Sequence, residues 1–219
     1  MAKILSVPSN PTPEFLDEVR LCTSQDGVLA LATESFYAFS ASAFSQAAVE
    51  RVVELKGRTY DKPLLVLIGE RTQIEELVTS IPSWSAPLLD HFWPGPLTCI
   101  FPAQSELPFP LTGGSETIGV RCPGVKYLRS ILDITGPLTG TSANRTDRPP
   151  LSSAQEIQKE FGDEIDLILD SGQSPGGLTS TVLNLVGHPH ILREGPISSQ
   201  AIQAVLSQQG IILSDKAAE

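Results

Sequence analysis

Two hydrophobic periods alternate along this chain, and each switch between them marks a change of element. Thr12-Pro13-Glu14 supplies a cap, a proline at the first helical position and an early acid, and Phe15, Leu16, Val19 and Cys22 follow at helical spacing, so a helix starts there. Val28 to Ala32 is a continuous apolar run, the pattern of a buried strand, and it delivers Thr33-Glu34-Ser35-Phe36-Tyr37 at its C-terminal end. Ser45 caps a second helix with Ala48, Val49, Val52, Val53 and Leu55 inward, and Gly57 ends it. Pro63 to Ile68 reads as a strand, Ile74, Leu77 and Val78 as a short helix, and the stretch around Pro87 to Phe92 as another. Beyond the rigid turn Trp93-Pro94-Gly95-Pro96, strands are predicted at Leu97 to Phe101 and Thr117 to Arg121, separated by a Pro/Gly-rich loop from Pro102 to Gly114. Tyr127, Leu128, Ile131 and Leu132 form a helical face, Leu138 to Thr141 a strand, Ser153 to Phe161 a helix and Ile165 to Leu169 a strand. After a loop from Asp170 to Thr179, Ser180 to Val186 and His190 to Arg193 read as a hairpin about Gly187, and Ser198 caps a last helix.

Helix and strand patterns alternate with no repeat and no linker-like composition break. That predicts one α/β (α+β) domain on a mixed sheet over residues 13–210, after a lead-in over 1–12 and before a tail over 211–219. Polar loops recur at the C-terminal ends of predicted strands, where open α/β sheets hold ligands.

Composition narrows the chemistry. Of 219 residues, 41% are hydrophobic and 18% charged, and 15 Lys+Arg stand against 25 Asp+Glu for a net charge of −10. An acidic chain is repelled by nucleic acid and by anionic membrane surfaces, so weak or no direct nucleic-acid binding and no membrane association are expected. With no signal-peptide pattern and no apolar run of spanning length, a cytoplasmic location is expected. Cys22, Cys99 and Cys122 form no C-x-x-C pair and sit among apolar neighbours, as buried free thiols do. His91, His188 and His190 lack ligand spacing with them, which argues against a structural zinc.

The scarce cations are unevenly placed. Lys56, Arg58 and Lys62 crowd a helix–loop–strand junction. Alone, such a trio reads more readily as a solvated turn than as an anion-binding loop. Other polar groups fall at strand ends: Thr33-Glu34-Ser35, Thr117 and Arg121 on one strand face, Thr141-Ser142-Ala143-Asn144, Ser180-Thr181 and Arg193. Together they offer hydroxyls and positive charge without a nucleophile–base pair, which suits positioning a nucleotide triphosphate and an amino acid, with catalysis by orientation and charge stabilisation. Gly140 to Asn144 approaches the G-x-S-x-G nucleophile elbow, but Asn144 stands where that turn needs a glycine and no histidine is near in sequence.

Six ordered blocks then resemble the YrdC-type threonylcarbamoyl-AMP synthases: Leu55-Lys56-Gly57-Arg58 with Asp61-Lys62-Pro63-Leu64, Trp93 to Thr98, Thr117 to Arg121, Thr141 to Asn144, Ser180 to Leu183 and Leu192 to Ile197. The resemblance runs from about Phe15 to Ile202 and is to the single-domain form. It implies a twisted mixed sheet with flanking helices around a large concave cleft. It also implies ATP, bicarbonate and L-threonine as substrates, Mg²⁺ accompanying ATP with no protein side chain assigned to it, and a transferase partner that takes the adenylate to tRNA. By the same resemblance Ser35, Arg121 and Ser180 hold threonine or its carbamate, while Arg58, Lys62, Thr117, Ser142, Asn144 and Arg193 surround ATP, with Lys56 and Arg58 central to catalysis. The chain departs from the family pattern at Ser35 (usually Thr), Ala38 (Gly), Leu67 (His in some members), Thr146-Asp147 (Ser-Gly) and Thr179 (Glu). A diverged relative that binds a nucleotide or RNA without this synthesis is the alternative.

Overall fold

The computed structural model describes residues 1–214; the rest of the expected tail, 215–219, lies outside the described residues. In chain order the strands are β1 Lys3–Ser6, β2 Leu29–Ala32, β3 Tyr37–Ser40, β4 Leu65–Leu67, β5 Leu97–Pro102, β6 Thr117–Arg121, β7 Leu138–Thr139, β8 Thr141–Ser142, β9 Leu167–Asp170, β10 Thr181–Asn184 and β11 His190–Arg193. The helices are α1 Pro13–Ser24, α2 Gln46–Lys56, α3 Ala86–Phe92, α4 Phe109–Thr112, α5 Lys126–Thr135, α6 Ala154–Phe161 and α7 Ser199–Ser207.

Local chemistry sets the helix ends. Thr12, Ser45, Ser153 and Ser198 each accept a hydrogen bond from a backbone N–H of the first turn. Gly57 closes α2 in the left-handed conformation, φ 60°, so the chain turns sharply and sends Arg58 onward without a Cβ clash.

The mixed sheet of the sequence reading is divided in two. A five-stranded sheet runs β1-β9-β2-β3-β8, and a six-stranded sheet runs β11-β10-β5-β6-β4-β7. Gly140 joins them: the predicted strand Leu138–Thr141 is two short strands, β7 in one sheet and β8 in the other. A Cβ at Gly140 would stand 2.6 Å from Leu67 Cγ, so the crossing needs a bare backbone. Two strands escape the sequence pattern. Residues 3–6, inside the expected lead-in, form β1 in parallel register with β9, and β3 folds straight back on β2, Ala32 opposite Tyr37. The loop expected from Pro102 to Gly114 contains the helical turn α4, whose Leu111 carbonyl accepts from Leu64 N at 2.9 Å and so braces the start of β4. The β10–β11 hairpin forms as the pattern predicts.

Alternation assigns side chains to two cores. Ala30 and Ile168 face one, while their neighbours Leu29, Leu31, Leu167 and Leu169 face the other, beneath Phe15 and Val19 of α1 and Leu128, Ile131 and Leu132 of α5. Because β2 and β9 are covered on both faces, their sequences are apolar without a break. Each fully buried leucine contributes about 1.5–3 kcal/mol relative to exposure, so the double cover holds the strand ends, and the loops leaving them, in place.

Candidate active site

A cavity of about 320 Å³ draws its walls from both sheets. That volume lies within the usual range for small-molecule sites. The five-stranded sheet supplies β3, the loop between β2 and β3, and β8; the six-stranded sheet supplies β4, β5, β6, β10 and β11. Ser35, Arg58, Arg121, Ser142, Ser180 and Arg193 all line it, so residues scattered over 159 positions of sequence meet in one hollow.

One polar group is built on the end of α2. Lys56 is 5% exposed. Its ammonium donates to Ser142 O and Asn144 Oδ1, both at 2.7 Å, and more weakly to Ser142 Oγ at 3.4 Å. Ser142 Oγ in turn donates to Asn144 Oδ1 at 2.6 Å, and Asn144 Nδ2 donates to the Arg145 and Arg148 carbonyls. Thr146 and Arg145 tie the same loop to α2 by donating to the Lys56 and Leu55 carbonyls at 2.9 and 2.7 Å. Lys56 and Asn144 thus stand behind Ser142 and brace it, outside the cavity lining. Arg58 does line the cavity; it donates to the Lys62 carbonyl and, at 3.0 Å, to that of Pro63, while its buried Nε has no hydrogen-bond partner among the described residues. An incoming acceptor would complete it.

The second group gathers at the ends of β6 and β10. Arg193 donates to Ser180 O from Nη2 (2.9 Å) and Nε (3.2 Å), and reaches Ser180 Oγ at 3.3 Å. Ser180 Oγ also shares a hydrogen bond with Thr98 Oγ1 at 2.8 Å. Arg121, 5% exposed, donates from Nε to Gly95 O at 3.0 Å, and its Nη2 lies 2.6 Å from Glu34 Oε2.

Burial and mutual repulsion leave these cations wanting an anion. Burial, then the charge of Arg58, lowers the Lys56 pKa to about 8. Burial is also the main cause that lowers the pKa of Arg58 and of Arg193, and Arg121 lowers that of Arg193 further. For Arg121 burial prevails over the opposing pull of Glu34. Positive groups held without enough counter-charge are the electrostatic form of an anion site. Among the described residues no three His, Cys, Asp or Glu side chains are grouped to hold a metal ion.

Besides Lys56 and Asn144, two more sequence candidates do not line the cavity. Lys62 is exposed and contributes its carbonyl to Arg58, and Thr117, the first residue of β6, shares a hydrogen bond with Ser115 Oγ at 2.8 Å. Two residues with no site role in the sequence reading take part, and a third, Glu34, is marked there only as part of a polar loop. Thr98 and Gly119 line the cavity, and Glu34 pairs with Arg121. A glycine inside a strand was the available signal for Gly119.

Comparison with known proteins agrees with this architecture. The family model Sua5_yciO_yrdC, described as Telomere recombination, matches residues 22–195. A threonylcarbamoyl-AMP synthase of Pyrococcus abyssi is 34% identical over 183 residues, covering 83% of this chain and 54% of that protein. A threonylcarbamoyl-AMP synthase of Coxiella burnetii is 32% identical over 165 residues, covering 75% of this chain and 88% of that one. The crystal structure of P. abyssi Sua5 complexed with L-threonine superposes with a TM-score of 0.89 at 29% identity, covering all of this chain and 65% of that chain. The chain therefore spans about half the length of the first relative and most of the second.

Proposed function

The chain belongs to the Sua5/YciO/YrdC family, and on that footing we propose that it is an L-threonylcarbamoyladenylate synthase, converting L-threonine, bicarbonate and ATP to threonylcarbamoyl-AMP, pyrophosphate and water. The observation that carries this reading is the convergence of Arg58, from the loop after α2, and of Arg121 and Arg193, from the ends of β6 and β11, on one cavity between the sheets.

The chemistry asks for such a place. The threonine amine attacks the bicarbonate carbon and water departs, leaving a carbamate. A carbamate oxygen then attacks the α-phosphorus of ATP, and the bond to the β,γ-pyrophosphate breaks. Two anions must come within bonding distance, and fixed cations offset their repulsion without reorganising. In this reading Arg121, Ser180 and Ser35 hold the amino acid and its carbamate, and Arg58, Arg193 and Ser142 hold the nucleotide. Lys56 and Asn144 keep Ser142 in place, and Lys62 and Thr117 act from outside the cavity lining. Mg²⁺ enters as part of the ATP substrate. Threonine bound to the P. abyssi protein supports the same ligand here. The adenylate passes to a separate transferase for tRNA modification, and the acidic net charge argues that this chain does not grip tRNA itself.

A second reading has its own support. Ala38, Leu67 and Thr179, three departures from the family pattern, all line the cavity. They favour a diverged member that takes another amino acid, or binds nucleotide without synthesis. Pyrophosphate release from ATP, measured with each amino acid in turn and with and without bicarbonate, decides between the two. Release that requires both threonine and bicarbonate is expected; release indifferent to either would reject the synthase reading.

A further inference from the structure

Glu34 is a carboxylate that pairs directly with the cationic cluster, and its surroundings are built around it. Its Oε2 lies 2.6 Å from Arg121 Nη2, and both atoms are closed off from solvent. Its Oε1 accepts from the backbone N–H of Gly124. Arg121 Nε is fixed independently by Gly95 O at 3.0 Å, and Gly95 N donates to Cys122 O at 2.8 Å. Three segments are therefore knotted about one guanidinium: the β2–β3 loop, the Trp93–Pro96 turn and the chain leaving β6. Arg121 has five N–H donors. One edge is occupied by Gly95 and Glu34, and the residue still lines the cavity.

We infer that Glu34 is a positioning residue and built-in counter-ion: it holds Arg121 with one edge toward the cavity, and its charge keeps stray inorganic anions from occupying that site. The orienting role rests on the synthase reading for which substrate it serves; the counter-ion role does not. Two opposite effects follow from losing the charge. An uncompensated Arg121 attracts any anion more strongly, because a negative charge a few ångströms away no longer opposes it. The same guanidinium, free to turn, aligns the amino acid less well, and misplacement of about 1 Å is costly to turnover.

The test uses Glu34→Gln and Gly124→Ala. The glutamine removes the charge. The alanine keeps the charge but places a Cβ 3.2 Å from Glu34 Oε1, which presses the carboxylate off its present line. Inorganic sulfate, titrated by its stabilisation against heat, is a probe that needs no substrate. For Glu34→Gln the sulfate midpoint is expected to fall at least about threefold, while kcat with threonine falls about tenfold or more and KM for ATP stays within about twofold. For Gly124→Ala a smaller kcat loss with an unchanged sulfate midpoint is expected. In an Arg121→Lys background, Glu34→Gln should add much less than it costs alone, since the two act as a unit. A sulfate midpoint equal to wild type in Glu34→Gln overturns the counter-ion role even if the protein makes no adenylate. Additive losses in the double variant, or a parallel rise in KM for ATP, overturn the orienting role in an enzyme shown to use threonine.

Discussion

The Lys56 ammonium has three donors, and Ser142 O, Asn144 Oδ1 and Ser142 Oγ take them. Its pKa is lowered to about 8, whereas an unfolded lysine holds its proton to about 10.4. Between those pH values the unfolded chain binds more protons, so this group's contribution makes stability rise as pH rises from about 8 to about 10, and it is flat below 8. A ¹³Cε titration of Lys56 should show a midpoint near 8. Arg58→Ala should raise that midpoint, because the second cause of the lowering is removed; a midpoint at the ordinary lysine value would mean the ammonium is not buried as described. Arg58→Ala should also lower kcat/KM by at least about tenfold, through the loss of a charge-assisted contact in the cavity, and Lys56→Ala by a similar factor through collapse of the Ser142 loop. The cationic cluster was legible in sequence because charged residues are conspicuous in an acidic chain. The difference between Arg58, which lines the cavity, and Lys56, which braces it, was not, because it depends on where the loop after β8 lies.

At the scale of elements, periodicity and caps revealed where most helices and strands lie, since those signals are local. Which strands share a sheet is not local. Leu138 to Ser142 reads as one strand, and only the approach of Leu67 to Gly140 shows why the chain must cross there between sheets. The β2–β3 pair was hidden for a related reason: Tyr37 to Ser40 is buried on both faces, so no alternation marks it. Gly140→Ala should therefore destabilise the fold by about 1–3 kcal/mol through overpacking against Leu67, read as a lowered denaturant midpoint with unchanged slope. Gly119→Val makes the contrasting case. A Cβ there meets Thr98 Cγ2 at 3.5 Å and Leu65 Cδ1 at 3.9 Å, ordinary contacts, so β6 tolerates it while the cavity fills. KM for a substrate should rise at least about tenfold with the melting temperature within a few degrees of wild type. A matching fall in stability would show that Gly119 serves packing rather than space.

For the whole molecule, the governing feature is an acidic protein that brings three arginines from distant parts of the chain to a single hollow between two sheets. Net charge of −10 makes tight nucleic-acid binding unfavourable, so tRNA should bind weakly and with little salt dependence in a filter assay. Steep salt-sensitive affinity would place an RNA surface where this account has none. On the proposed synthase reading, the hollow is the meeting place of a carbamate and a triphosphate. The most direct measurement is mass spectrometry of the nucleotide product formed from ATP, L-threonine and ¹³C-bicarbonate. The account predicts a threonine-containing adenylate heavier by one carbon-13 than the product from ordinary bicarbonate, and none when threonine is omitted. An adenylate whose mass ignores the label, or no adenylate at all while ATP still binds, would contradict it.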